Sequence, residues 1–227
     1  IRGGASGGNE EPAITADANN TLNLTCGINQ NGRILVLGGA GNIPVTSNPI
    51  TLVHSLDKIG SGTANIQVAT AAPTGNGIRV YAGKLTFSGA GAVSGAGTIA
   101  TIINPGATLE LNNTSSVVAN RLGGRVITFQ GGNLNLIGGG AVTNEAIGAP
   151  TFNRGQTTIT VTDVGAGTNL TFTAASNNVA PAQNNGNGGS MATALFRGTN
   201  LGSPAGAGVA TIQSTAGGIN FNGQTGA

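Results

Sequence analysis

One histidine and its neighbours have the residue types of a hydrolytic site. His54 is followed by Ser55 and Asp57, a base, a nucleophile and an acid, which must converge in space to act as a triad. These three residues follow one another along a single strand and turn. We therefore expect their side chains to point in divergent directions, with His54 solvated or at the edge of a coil, and we predict no catalytic residues here.

Three carboxylates, Glu110, Glu145 and Asp163, are candidates for cleaving a polysaccharide. Glycoside hydrolysis needs two carboxyl groups within roughly 5–10 Å of each other. Glu110 and Glu145 are 35 residues apart and Asp163 lies 18 residues beyond Glu145, so stacked coils would allow vertical proximity. We expect scattered solubilising charge on a polar face instead. The prediction is a protein that is not an enzyme, with a carbohydrate-binding or carbohydrate-cleaving β-helix as the alternative.

A glycine-rich turn resembles the start of a dinucleotide-binding site. The strand that ends at Leu37 runs into the turn Gly38–Gly41, and Asp57 follows at about the distance where a dinucleotide fold places its ribose-binding acid. The required helix is missing, because Pro44 and Pro49 interrupt the next segment. Without a helix N-terminus no phosphate cradle forms. We therefore expect a turn between strands and no cofactor.

Composition argues against several other kinds of site. Only 9 basic residues face 7 acidic ones, and no aromatic platform surrounds the closest basic pair, Arg121 and Arg125, so nucleic-acid binding is not expected. The glycine-rich turns carry Asn or Ser, whereas calcium-binding solenoid repeats need Asp there, so we expect no metal. Cys26 is alone and is interpreted as a small buried hydrophobe. No apolar run approaches the roughly 18 residues that would indicate a transmembrane segment.

The elements that must position these residues are short strands. The 227 residues include 41 glycines, 38% are hydrophobic and 7% are charged, a composition that favours a slim aliphatic core over disorder. Short runs alternate apolar residues with Thr, Asn or Lys, the period of a half-buried strand. Gly-Gly, Asn-Pro, Pro-Gly and Asn-Gly pairs between them indicate turns. We expect almost no helix.

One short phrase, an apolar-x-apolar step shortly after a glycine, repeats at a nearly constant interval. Its first apolar positions are Leu85, Leu109, Leu134 and Ile159. A constant interval of this size is typical of stacked repeats that cannot bury an apolar face alone. The prediction is an all-β, right-handed parallel β-helix (a β-solenoid) with about 24–25 residues per coil and roughly nine coils; a β-sandwich is the alternative.

The β-helix predicts which residues form the core. Two inward columns are expected, with outward Asn and Thr forming aligned ladders. The first column consists of Leu85, Leu109, Leu134 and Ile159, and the second of Phe87, Leu111, Leu136 and Val161.

These phrases resemble the autotransporter-associated β-strand repeats of long secreted or surface proteins of Gram-negative bacteria. The similarity lies in residues 83–87, 94–111 and 124–136, where Gly-x-Leu-x-Phe precedes a small-residue turn and Gly-Ala-Thr-Leu-x-Leu-x-Asn follows. The resemblance covers about a third of the chain. It implies a right-handed parallel β-helix in an exported passenger region, and it assigns no catalytic residues.

Domain organisation and function follow from this interpretation. We predict a flexible leader or assembly segment at 1–19, a β-helix at 20–175, a polar loop at 176–190 and a terminal β segment at 191–227. The expected function is a non-enzymatic structural protein, extracellular or on the bacterial cell surface, with a β-sandwich pilin-like adhesin as a further alternative. Surface glycans are additional partners to consider.

The ends of the chain predict self-association. An uncapped coil presents unpaired backbone groups to another chain, and no amphipathic helix is visible at either terminus. Strand-competent residues there are expected to mediate a head-to-tail, homopolymeric contact that forms an open filament. These residues are Ile14, Val209, Ile212, Ile219 and Phe221.

Overall fold

The chain forms an all-β solenoid. The structure, a computed structural model, describes residues 13–95, 99–173, 177–179, 192–215 and 219–221. Its strands stack in about six turns, and the described residues contain no helix. Every pair of described strands is parallel. The predicted fold class is therefore confirmed, and the antiparallel β-sandwich alternative is wrong.

Twenty-one strands make up the described part of the solenoid. In chain order they are β1 (Ala13–Ala16), β2 (Ile28–Gly39), β3 (Asn42–Val45), β4 (Ile50–Lys58), β5 (Thr63–Ile66), β6 (Ala69–Thr70), β7 (Gly77–Val80), β8 (Lys84–Phe87), β9 (Ala92–Val93), β10 (Thr101–Ile103), β11 (Thr108–Asn112), β12 (Ile127–Phe129), β13 (Asn133–Ile137), β14 (Thr143–Ile147), β15 (Thr151–Phe152), β16 (Gly155–Thr162), β17 (Thr168–Phe172), β18 (Asn177–Val179), β19 (Ala192–Gly198), β20 (Ala210–Ser214) and β21 (Ile219–Phe221).

The strands form three main sheets. Sheet 1 has the order β1-β2-β4-β7-β10-β12-β15, with β6 paired to β4 and β9 paired to β6. Sheet 2 has the order β19-β16-β13-β11-β8-β5-β3, sheet 3 the order β14-β17-β20, and β18 pairs with β21. In the later coils the chain passes from sheet 2 to sheet 3 and then to sheet 1, or to the β18–β21 pair, so three sides enclose the core.

The repeated phrase forms the centre of sheet 2. Strand pairing aligns Leu85, Leu109, Leu134 and Ile159 in one column, and Phe87, Leu111, Leu136 and Val161 in the next. All eight side chains have no exposed surface. These two columns lie inside because alternate residues of a strand face the same side.

Coil length is not uniform along the rod. Asn42, Thr63 and Lys84 are consecutive partners, and these two early steps are a few residues shorter than those that follow. The predicted constant step holds from Lys84 to Thr158. The last step, from Thr158 to Leu195, is about half as long again. The structure has about six turns, fewer than the roughly nine expected from a constant period.

In two of the phrases, a glycine with a positive φ makes the turn that leads into sheet 2. Gly83 and Gly106 have φ angles of 64° and 74°, the left-handed region that glycine enters without a steric penalty. Each lies just before the first residue of a sheet 2 strand, β8 or, with one residue between, β11. In these two coils, a glycine precedes the apolar-x-apolar step because the corner needs a positive φ.

The structure places strands in two of the segments predicted to be irregular. Residues 13–16 of the predicted leader form β1, which pairs with β2, while residues 1–12 lie outside the described part. Residues 177–179 of the predicted polar loop form β18, and the rest of that loop also lies outside. Beyond residue 175, β19 continues sheet 2 and β20 continues sheet 3.

Residues 21–25 pair with the neighbouring coil only through two isolated bridges. Thr21 pairs with Asn42 and Leu24 with Val45. Pro44, in the neighbouring β3, explains the weak pairing because it has no N–H to donate. Its carbonyl still accepts the N–H of Leu24 at 2.9 Å.

Candidate functional site

His54, Ser55 and Asp57 lie in β4 without forming a triad. Ser55 and Asp57 share one face of the strand, where they are hydrogen-bonded, whereas His54 lies at an irregularity in the pairing of β4 with β2. The Ser55 hydroxyl donates to Asp57 at 3.1 Å, and Arg79 from the next coil donates two hydrogen bonds to the same carboxylate at 2.9 and 2.6 Å. The Arg79 guanidinium also lies 5.6 Å from the ring centroid of Tyr81. Asp57 is thus held in a bidentate ion pair between two coils.

The glycine turn has no phosphate-binding geometry. β2 ends at Gly39 and β3 begins at Asn42, so a strand follows the turn where a dinucleotide fold would have a helix. Asp57, the residue at the position of a ribose-binding acid, is the partner of Arg79. The prediction of a simple turn between strands is confirmed.

Glu110 lies on the outer face of sheet 2 in a local ion pair. Lys84 donates to both carboxylate oxygens at 3.2 Å, and the Thr86 hydroxyl donates at 3.3 Å. These residues belong to the adjacent strand β8. Glu110 is almost fully buried under its partners.

Asp163 organises the turn between β16 and β17. Its carboxylate accepts the N–H groups of Gly165 and Gly167 at 2.7 and 2.8 Å and the Thr168 hydroxyl at 2.8 Å. Burial favours a higher pKa for Asp163, but these hydrogen bonds outweigh burial and hold the pKa below its usual value. The carboxylate therefore stabilises a corner of the coil.

Glu145 lies inside the solenoid, in the first strand of sheet 3. It is 1% exposed, and its position aligns with the core residue Leu170 of the next coil. Its carboxylate accepts the backbone N–H groups of Arg121 and Leu122 at 2.8 and 3.1 Å. Glu145 thus fixes the strandless segment 113–124 against the start of sheet 3.

Arg121 completes this cluster, which we call the Arg121–Glu145 cluster. Its guanidinium donates to Asn113 Oδ1 at 2.9 Å, to the Ser116 carbonyl at 2.7 Å and to the Gly89 carbonyl at 3.0 Å. It also donates to the carbonyl of Gly91. Gly89 and Gly91 belong to the preceding coil, so one arginine connects two turns of the rod.

The burial of Glu145 predicts a pH-dependent stability. Burial raises the pKa of Glu145 to about 7, despite opposing hydrogen bonds and the charge of Arg121. The folded state thus binds a proton that the unfolded chain, with a carboxyl pKa of 4.5, releases earlier. The contribution of Glu145 protonation to the free energy of unfolding is fully present below pH 4.5 and is lost as the pH rises through about 7.

We expect the free energy of unfolding, measured with urea, to decrease by on the order of 2 kcal/mol between about pH 5 and pH 7.5, at about 1.36 kcal/mol per pKa unit. Glu145→Gln removes the titrating group and should flatten this slope. Lys58, whose pKa is lowered by burial to about 8, titrates above this window. A wild-type stability that rises across it would contradict the assignment.

Lys58 is a second charge within the core. It aligns with Leu37 and Val80 in sheet 1 and is 1% exposed. Its ammonium donates to the carbonyls of Ile59 and Gly60 at 2.7 and 2.8 Å. The side chain therefore closes the turn that leads from sheet 1 to sheet 2.

The expectation of solubilising charge on a polar face is wrong for Glu145 and Asp163, and Glu110 lies on an outer face but is covered by its partners. Glu110, Glu145 and Asp163 are all largely buried and lie respectively on sheet 2, inside sheet 3 and at a corner. Arg121 and Arg125, interpreted as the nearest approach to a basic cluster, are both fully buried. Residues 113–124 lack the apolar-x-apolar step, which indicates a break in the repeat but does not identify the partners of Arg121 and Glu145.

Outward Asn and Thr side chains form the ladders that were predicted. In sheet 3, Asn169 donates to Asn144 at 2.9 Å and accepts the Thr211 hydroxyl at 2.6 Å. In sheet 2, Ser88 donates to Asn65 at 2.8 Å. These bonds join successive coils.

The predicted assembly residues lie at both ends of the rod. Ile14 is in β1 and packs against the core, and Ile212 in β20 does the same. Val209 is half-buried directly before β20. Ile219 and Phe221 are in β21, which pairs with β18.

Other sites considered from the sequence have these outcomes. Cys26 is exposed, so its interpretation as a buried hydrophobe is wrong; it lies in the bend before β2. The described residues bring together no group of three His, Cys, Asp or Glu side chains that would hold a metal ion. They also include no helix with the length and hydropathy of a membrane span.

Comparison of the chain with protein-family models, with curated proteins and with solved structures finds no match. The resemblance to autotransporter-associated repeats thus stays a prediction, whereas the β-solenoid itself rests on the strand pairing above.

Proposed function

We propose that this chain is a non-enzymatic structural protein of the extracellular space or bacterial cell surface, acting as a stalk or a head-to-tail filament subunit. Two observations support this proposal: buried charges serve contacts between coils, and outer faces carry small polar ladders. The repeated phrases that resemble exported passenger regions support the location. The observation that carries the proposal is the edge of β19, which no described strand pairs with on its far side.

The last coil leaves its inward side chains incompletely covered. In sheet 2, β19 pairs with β16 alone among the described strands. Its inward residues Ala194 and Phe196 are partly exposed, whereas Ile159 directly below Phe196 has no exposed surface. Ile212 of sheet 3 is likewise partly exposed above the buried Leu170. Apolar surface and a free strand edge therefore coincide at this end.

A second copy in the same orientation fits this end. At the other end of the rod β1 pairs only with β2 among the described strands, and the two run parallel. If the edge strand of one copy pairs in parallel with the edge strand of the next, the ladder of backbone hydrogen bonds continues across the contact at about 4.8 Å per strand. Different surfaces meet in such a contact, so it repeats without closing and generates a filament.

We expect Ala194→Pro to abolish self-association and leave the subunit folded. The N–H of Thr199 donates to β16 at 3.1 Å, so by strand alternation the N–H of Ala194 points away from β16. Proline removes this outward donor and keeps the internal ladder. Ala194→Val is the matched control, because it adds similar volume and retains the N–H.

The measurements are sedimentation velocity and electron microscopy of the wild type and both variants. The proposal expects filaments for the wild type and Ala194→Val, and monomers with an unchanged circular dichroism spectrum for Ala194→Pro. A wild-type chain that is monomeric at high concentration would sink the filament proposal.

A further inference from the structure

Arg125 is a buried arginine whose hydrogen-bonding groups are incompletely used. Its side chain has no exposed surface, like those of Ile127 and Phe129 in β12, the strand that follows it. Nη1 has a long contact of 3.4 Å to the carbonyl of Ile99. Nε and Nη2 have no hydrogen-bond partner among the described residues. At least two donors of this guanidinium therefore face the interior unsatisfied.

The positive charge of Arg125 also has no counter-charge within the described part of the chain. Arginine stays protonated in proteins, and burial of an uncompensated charge is strongly unfavourable. The two salt bridges of the described residues are Arg79–Asp57 and Lys84–Glu110, and neither involves Arg125. Arg121 is the internal comparison, since it is equally buried but donates to four oxygens and lies beside Glu145.

A second orphaned group lies on the same side of the core. Thr101 is the strand partner of Ile127, two residues along from Arg125, and is fully buried. Its hydroxyl has no hydrogen-bond partner among the described residues. A hydroxyl and a guanidinium can both donate hydrogen bonds to an anion, and an anion between them would satisfy both.

We propose that Arg125 and Thr101 bind a small monovalent anion, of the size and charge of chloride, inside the solenoid beside sheet 1. The ion supplies the missing counter-charge and accepts hydrogen bonds from Nε and Nη2 of Arg125 and from Oγ1 of Thr101. Both side chains are fully covered, so the coils enclose the ion as they stack. It is thus a structural ligand of the folded state and is released on unfolding.

The test compares unfolding by urea in sodium chloride and in sodium gluconate at equal ionic strength, because gluconate is too large for this site. A ligand of the folded state alone raises the folded-to-unfolded ratio about tenfold for each tenfold rise in its concentration above Kd. We expect this chloride dependence in the wild type and its loss in Arg125→Met. Arg154→Met, which removes an exposed arginine, should retain the wild-type dependence and controls for total charge.

Crystals grown in sodium bromide provide a direct readout that does not depend on stability. The proposal expects an anomalous peak within hydrogen-bonding distance of Arg125 Nε and Nη2. Equal wild-type stability in chloride and gluconate, a chloride dependence that survives in Arg125→Met, or density without an anomalous peak at Arg125 would each overturn it.

Discussion

Replacing Leu134 with alanine is expected to lower the free energy of unfolding by about 2–5 kcal/mol. Leu134 has no exposed surface and lies between Leu109 and Ile159 in the first core column. Coils above and below are fixed by backbone ladders, so they cannot collapse into the space left by the removed atoms. The lost transfer free energy and the cavity therefore both contribute.

Urea unfolding followed by circular dichroism measures this effect. Asn135→Ala is the matched control, since Asn135 follows Leu134 in the same strand but faces outward, where substitutions usually change stability by less than about 0.5 kcal/mol. Equal losses in the two variants would contradict the assignment of Leu134 to the core.

Gly83→Ala is expected to destabilise the rod through two independent effects. The φ angle of 64° at Gly83 costs an L-residue about 1–2 kcal/mol. A Cβ at this position would also lie 2.4 Å from the carbonyl oxygen of Gly62 and 2.5 Å from that of Gly60, both backbone atoms of the adjacent coil. The coils would have to separate, which weakens the hydrogen bond from the Lys84 N–H to the Gly62 carbonyl.

Gly106→Ala separates these two effects. Gly106 occupies the equivalent corner of the following coil with a φ of 74°, but a Cβ there meets no atom within 4 Å. We expect this variant to lose only the backbone contribution of about 1–2 kcal/mol, and Gly83→Ala to lose clearly more in the same thermal unfolding assay. Similar losses of stability in the two variants would contradict this expectation, because they would show that the Gly62 carbonyl moves away from the new Cβ without an energetic cost.

The sequence was sufficient to predict the part of the fold in which each coil repeats the same local chemistry. From Gly83 to Val161 a corner glycine, an apolar-x-apolar step and a constant spacing coincide, and each is a local signal. Before Gly83 the coils are shorter, and Ala64 takes the core position that Leu85 has in the next coil. A small residue in a shorter coil weakens the pattern, which explains why the early register was not predicted.

The buried charges were not predictable from local sequence, because their partners come from other coils. The guanidinium of Arg121 donates to the carbonyls of Gly91 and Gly89 in the preceding coil, and Lys58 donates to the carbonyl of Ala82 in the following one. A charged residue is ordinarily solvated, and only the stacked structure shows which of them have found acceptors. The surface interpretation of Glu145 was wrong for the same reason.

The orientation of the strands also determines how the molecule would respond to being pulled. Every described strand lies across the axis of the rod, so tension between the two ends peels one coil from the next and breaks its hydrogen bonds a few at a time. A coil occupies about 4.8 Å of axis but contains roughly 80–90 Å of extended chain. As a stalk, the protein would thus unfold one coil at a time under tension. Each unfolded coil would replace a short segment of the rod by a much longer segment of extended chain, while the remaining coils stay folded.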